Sequence, residues 1–222
     1  MTTRHQQPFA KVLRQAGSRL DGKVLAGTHS VCNDENNEVC FEISHYKSLS
    51  NELMDSSMKL FEANMGELYK KSNWGLDLDN KREELLHEDA QFLIVVRRPP
   101  PFAAENNTNS LLHHNDSLLA GFVHWRLDVN DDDDPTEVVI YVFELQIAKP
   151  YQRFGLGRRC MELLEQQLAP TVRIPKIMLT VFLSNQSALR FYRKLHYTPD
   201  AISPSQHGEE SDYEILSKTL VF

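Results

Sequence analysis

The chain has 222 residues, 41% hydrophobic and 25% charged, which is the make-up of an ordinary globular protein large enough to bury a core. Its 24 basic and 31 acidic side chains leave a formal charge of −7, which argues against nonspecific nucleic-acid binding as the main activity and permits a basic partner. No apolar run approaches the ~18 residues of a membrane span, and the opening MTTRHQQPFAKVLRQ lacks the apolar core of a secretory signal. Cys32, Cys40 and Cys160 are too few and too scattered for a disulfide framework or a zinc site. The expectation is therefore a cytoplasmic and nuclear protein, monomeric, with no bound metal and no membrane or direct nucleic-acid partner.

Residues 1–37 read as a polar leader, partly helical around Phe9 to Leu20 and broken at Gly27 to Asn37; residues 38–222 read as one domain. Glu38 to Tyr46 alternates apolar and polar residues, as a half-buried strand does. Ser50 or Asn51 can cap the next segment, where Met54, Met58, Phe61, Met65, Leu68 and Tyr69 recur at helical spacing up to a stop at Ser72 to Gly75. Gln91 to Val96 is a buried strand ended by two arginines and three prolines. A Pro-, Asn- and His-rich loop insertion follows near 98–117; its His113 and His114 are expected in solvent. Leu118 to Leu127 and Val138 to Ile147 are strands on either side of an acidic turn, the second nearly all apolar as a central strand would be. Helix Gly155 to Leu168, strand Lys176 to Phe182, helix Asn185 to Leu195 and strand Tyr213 to Leu220 complete an α/β order with hairpins early and crossovers late.

Chemistry concentrates in VFELQIAKPYQRFGLGRRC. There a strand ends, the chain turns, and Gln152, Arg153, Phe154, Gly155, Leu156 and Gly157 open an amphipathic helix. Glycines at such an entry let backbone N–H groups approach an anion, and the helix N-terminus adds unpaired donors and partial positive charge. A pyrophosphate suits the arrangement, with Arg153 and Arg158 at its rim. A Rossmann fingerprint would need glycine at position 160, where Cys160 stands, and the Gly-Lys-Ser/Thr of a Walker loop is absent. A plain glycine turn before a helix stays open on this segment alone.

Gln152-x-x-Gly155-x-Gly157 after a strand resembles the acetyl-CoA pyrophosphate loop of the GNAT superfamily of acetyltransferases. Leu179 to Phe182 followed by Asn185 to Tyr192 resembles the later strand and helix of that family, where an asparagine and a tyrosine lie along the coenzyme arm. Asn185 is equally a helix N-cap and Tyr192 equally a core residue. Shorter signatures are similar to the NatD type, N-terminal acetyltransferases selective for histones that begin Ser-Gly-Arg-Gly: Leu68-Tyr69-x-x-Ser72-x-Trp74-Gly75, Lys81-Arg82-Glu83-Glu84, Arg126-x-Asp128, Tyr141-x-x-Glu144-x-Gln146 and Tyr213-Glu214-Ile215-Leu216. The resemblance implies the GNAT acyl-CoA N-acyltransferase fold, a mixed central sheet flanked by helices, with acetyl-CoA as cosubstrate. It implies that Glu144 helps deprotonate the substrate amine, through water, and that Tyr69, Trp74, Tyr141 and Tyr213 line a groove for a histone N-terminal tail. Asp128 would take the peptide's polar and basic groups, with Thr180 nearby; Leu145, Gln146 and Ile147 join the cofactor set. Two positions depart from the NatD pattern. Phe143 stands where a second tyrosine is expected, and Asn130 where an acid is expected, so both substrate-side positions differ in chemistry.

The residues support that chemistry in their own right. An α-amine titrates near ~7.7–8.0, against ~10.4 for lysine, so a modest base suffices for an N-terminus. Glu144 lies in an otherwise apolar strand, where burial raises a carboxyl toward useful basicity; a strand-end glutamate in solvent is the alternative. Backbone N–H groups near Leu145 or Ile147 can polarise the thioester oxygen, and Tyr213 can protonate the departing thiolate or simply pack. Five aspartates within Asp128 to Asp134 form either a solvated turn or a receptor for a basic tail. Acetylation of lysine side chains or small amines, and an inactive module that binds acyl-CoA or histone tails, are the competing functions.

Overall fold

Strand β5 (Val138–Ile147) and strand β6 (Lys176–Phe182) run parallel but pair only from Ile140↔Ile177 to Val142↔Leu179, after which they part. That parting creates the cleft, and the rest of the fold holds it open. The computed structural model describes residues 29–32, 39–98, 119–130 and 137–222. Among the described residues eight strands form one mixed sheet in the order β1-β2-β3-β4-β5-β6-β8-β7, with β1 His29–Cys32, β2 Cys40–Tyr46, β3 Gln91–Arg98, β4 Leu119–Val129, β7 Thr198–Pro199 and β8 Tyr213–Thr219. Every pairing except β5–β6 is antiparallel.

Helices cover both faces of the sheet. On one face α1 (Asn51–Lys71) and α2 (Leu78–Leu85) enclose Met54, Phe61, Leu85, Phe92, Ile94 and Phe122. The other face packs against α3 (Leu156–Leu163), which continues through a π-turn at Leu164–Leu168 into α4 (Ala169–Val172), and against α5 (Gln186–Lys194). Local chemistry sets the helix starts. Ser50 caps α1 by accepting from the Leu53 N–H, Asp77 caps α2 through Asn80, and Asn185 caps α5 through Ala188. The side chains of Leu156, Cys160, Leu163 and Leu164 are all fully buried, as the spacing predicts.

Three expectations change. The break read at Gly27 to Asn37 contains β1, whose backbone pairs with β2 from His29↔Ile43 to Cys32↔Cys40; four residues are too short for a periodic signal. Helix α2 has no counterpart in the sequence reading, because LDNKREEL is polar and its buried face consists of Lys81 and Leu85 alone. Cys40 is disulfide-bonded, so one bridge exists without a framework, while Cys160 is free and buried. Most of the leader, the insertion with His113 and His114, and the acidic run Asp131 to Asp134 lie outside the described residues.

Candidate active site

A bulge on β5 shapes the site. His124 pairs with Glu144 and Trp125 with Val142, which leaves Phe143 without a partner and interrupts the alternation of side chains. Tyr141, Phe143, Glu144 and Gln146 can then all line one cavity of about 270 Å³. Its other walls are Met65 and Tyr69 of α1, Trp74 of the following turn, Lys81 and Glu84 of α2, Asp128 of β4, Thr180 and Phe182 of β6, and Asn185 and Tyr192 around α5. Sequence-predicted groups from five separate segments thus meet.

Glu144 is buried at 4% exposure, and each of its oxygens accepts one hydrogen bond from within the protein. Its Oε1 accepts from Lys81 Nζ at 2.8 Å and its Oε2 from Gln146 Nε2 at 2.8 Å. Asn64 of α1 donates in turn to Gln146 Oε1 at 3.0 Å and to the Ile147 carbonyl at 3.1 Å. Lys81 Nζ also donates to Glu84 Oε1 at 2.8 Å, and His124 Nδ1 lies 3.6 Å from that same oxygen. Burial pushes the Glu144 carboxyl up from its ordinary value against the pull of the ammonium. For Lys81 burial works against the charge, but Glu144 and Glu84 outweigh it and hold the amine protonated. Glu84 is also opposed by burial, yet His124 and Lys81 keep it below its ordinary value. Each Glu144 oxygen retains acceptor capacity beyond these bonds.

The aromatic side chains form a connected wall. Tyr69, Trp74 and Phe182 meet edge to face at centroid distances of 5.0 to 6.2 Å, and Trp74 continues to Tyr213 at 5.2 Å. Trp74 is half exposed at the rim. Tyr213 stands beside it rather than among the cavity residues, so it is a rim group. The Tyr141 hydroxyl is hydrogen-bonded to that of Thr180. Burial pushes the Tyr69 phenol up to about 12 and raises Tyr141 as well, so both are neutral donors at physiological pH. Phe143 is stacked on His124 at 5.1 Å, and the Arg126 guanidinium lies 4.0 Å from its ring centre. Asn130 does not reach the cavity: its carboxamide oxygen accepts from Lys176, which also pairs with Asp200. Asp128 does line it.

At the end of β5 the loop takes the form an anion requires. Gly155 has φ +79° and Arg153 φ +70°, and no side chain caps α3, so first-turn N–H groups are left for a ligand. A Cβ on Gly157 would lie 3.3 Å from the Phe191 ring, so glycine permits close approach of loop, β5 and α5. Gln152 is spent structurally in part, donating to the Ile147 carbonyl, while Arg153 and Arg158 are exposed. Phe154 packs edge to face on Phe41 and Leu156 is core, so this pair can offer backbone rather than side chain. Leu145 lines the cavity, and Leu145 to Ile147 lie beyond the last β5–β6 pair, so they are free of that strand partner. The Gln146 side chain is occupied by Glu144 and Asn64, so it is the backbone of this residue that can serve a cofactor. Asn185 is both N-cap and cavity wall, and Tyr192 both core and cavity wall. The unclaimed N–H groups and left-handed loop residues fit a coenzyme pyrophosphate.

Lys81, Glu84, His124 and Asn64 are the site residues that periodicity and the glycine loop could not reveal. Lys81 and Glu84 carried a signal only in the short Lys81-Arg82-Glu83-Glu84 signature.

Residues 59–197 match the acetyltransferase (GNAT) family, and the chain belongs to it. It is 30% identical over 79 residues to a probable spermine N(1)-acetyltransferase of Bacillus subtilis subsp. natto (strain BEST195), a stretch covering 36% of this chain and about half, 52%, of that relative. An acetyltransferase structure from Streptococcus agalactiae superposes with a TM-score of 0.56 at 13% identity, covering 81% of this chain and 98% of the other. The NatC complex bound to Gag peptide and CoA gives 0.52 at 16% identity, covering 81% and 99%.

Proposed function

We propose that the enzyme acetylates protein N-terminal α-amines, preferring histone tails that begin Ser-Gly-Arg-Gly. The carrying observation is Glu144, a buried and internally braced carboxylate in a cavity walled by Tyr69, Trp74, Tyr141 and Phe182, with Asp128 in the same wall. An extended basic peptide suits aromatic sides and an acid, and its α-amine needs only a modest base. The bound cosubstrate supplies the thioester. Glu144, directly or through a water, takes a proton from the amine as its nitrogen bonds to the acetyl carbon and the carbon–sulfur bond breaks. A backbone N–H near Leu145 or Ile147 polarises the carbonyl oxygen, and Tyr141 or Tyr213 returns a proton to the thiolate. Alignment of the two substrates supplies much of the acceleration. A cytoplasmic and nuclear location accompanies this proposal.

Acetylation of a polyamine is the second reading, favoured by the partial similarity to the probable spermine acetyltransferase. Mass spectrometry of Ser-Gly-Arg-Gly-Lys-Gly incubated with acetyl-CoA separates the two. One acetyl group on the serine nitrogen, formed at least about tenfold more slowly by Glu144→Gln, is expected; tenfold is ~1.4 kcal/mol of barrier. Acetylation of the lysine, or of spermine in preference to the peptide, sinks the N-terminal assignment. Coenzyme binding with no product on any amine marks an inactive binding module.

A further inference from the structure

The reaction as described makes no use of Lys81, although the fold places it at the centre of the site. Its side chain is 8% exposed, and its ammonium lies 2.8 Å from both Glu84 and Glu144. Neutralising a buried Glu144 would take one cation and nothing more. The second carboxylate, one turn along α2, returns the cluster to a net charge of −1 and divides the ammonium between two acceptors. Phe61 and Tyr69 enclose the amine from α1, with ring centres 5.0 and 5.7 Å from Nζ. Behind Glu84 stands His124, fully buried, with no hydrogen-bond partner for either ring nitrogen among the described residues. The titratable and charged groups around Glu144 are therefore Tyr69 from α1, Lys81 and Glu84 from α2, His124 opposite it on β4 with Arg126 beyond that histidine, and Tyr192 from α5.

We propose that Lys81 and Glu84 are positioning residues for acetyl transfer: Lys81 fixes Glu144 through a bond it shares with Glu84, and the division of that ammonium governs Glu144 as a base. The arrangement rests on Glu144 being the base proposed above. With Glu84 present, part of the ammonium is drawn from Glu144, which remains a stronger acceptor. A net negative cluster also attracts an amine that arrives as its cation.

Glu84→Gln and Lys81→Met displace the cluster charge in opposite directions, so they test the idea together. The measurement is kcat/KM against pH for the amine that the wild type acetylates. Changes between variants then report free enzyme, because the free substrate is common to all. Glu84→Gln removes the charge that competes for the ammonium and moves the acidic limb to lower pH. Lys81→Met leaves two facing carboxylates and moves the limb to higher pH. Both lower kcat at neutral pH by about tenfold or more while KM for acetyl-CoA stays unchanged. Glu84 is a quarter exposed and its amide keeps an acceptor for Lys81, so Glu84→Gln carries the test if Lys81→Met fails to fold. A slow Glu144→Gln with unmoved limbs in both variants overturns this inference alone. Wild-type turnover in Glu144→Gln overturns the base reading, and this inference with it.

Discussion

A fully buried imidazole whose nitrogens find no hydrogen bond among the described residues is an expensive residue to keep. His124 is held flat between Phe92 and Phe143, with ring centroids at 5.2 and 5.1 Å. Burial depresses its basicity, and the nearby Glu84 carboxylate only partly opposes that. A histidine depressed in the folded state binds fewer protons than the unfolded chain between the two values. Stability therefore rises with pH across that interval and is lost as pH falls below the unfolded value near 6.5. Urea unfolding of the wild type and His124→Phe, which keeps the stack, should diverge accordingly. The wild type loses stability between about pH 7.5 and about pH 5.5, and the variant curve is flatter by His124's share. Parallel curves would mean that His124 charges freely in the fold. At this scale the sequence shows what chemistry makes conspicuous, a carboxylate in an apolar strand and glycines before a helix. It hides how Lys81, Glu84 and His124 act, because that depends on contacts as far as 63 positions apart, from Lys81 to Glu144.

Two elements, the bulged β4–β5 pair and the loop into α3, do most to define the site, and both are sensitive to a single methyl group. A Cβ on Gly121 would lie 2.5 Å from the Gln146 carbonyl oxygen and from Ile147 Cδ1. Those residues end β5 and carry the bonds from Asn64 and Gln152. Gly121→Ala must therefore push the strands apart just where Glu144 is braced, costing about 1–3 kcal/mol as overpacking does. Its urea midpoint should fall by the corresponding amount, and an unchanged midpoint would show that the strand ends yield freely. Gly155 presents the contrasting case. A Cβ there meets nothing within 4 Å, but φ is +79°, so Gly155→Ala costs roughly 1–2 kcal/mol through backbone conformation alone. Relaxation of that backbone turns the α3 N–H groups away from the coenzyme, and calorimetry should show weaker CoA binding. The strands and helices bounding these elements were legible because long apolar periods dictate them. The bulge, β1 and α2 were not: a bulge leaves no trace in hydropathy, β1 has four residues, and α2 buries a lysine where a pattern reader expects leucine.

Across the whole molecule, one sheet separates two cores, and the cavity opens where β5 and β6 diverge and helices from both sides converge. Hairpins early and crossovers late implied a mixed sheet, but where its one parallel pair parts depends on a register that hydropathy does not record. The molecule also carries a formal charge of −7, and the cavity contains Glu84, Glu144 and Asp128 against Lys81. Long-range attraction for a basic peptide should follow, and it is screened as the Debye length shrinks from about 10 Å at 0.1 M salt to about 3 Å at 1 M. For a Ser-Gly-Arg-Gly-Lys-Gly peptide, kcat/KM should drop several-fold over that range, mainly through KM, because encounter rather than chemistry is weakened. A peptide with both basic side chains replaced by glutamine should show a much shallower slope. Asp128→Asn should reduce the slope for the basic peptide while leaving acetyl-CoA binding alone. Equal salt dependence for both peptides would place recognition in the aromatic wall of Tyr69, Trp74 and Phe182 rather than in the charge of the surface.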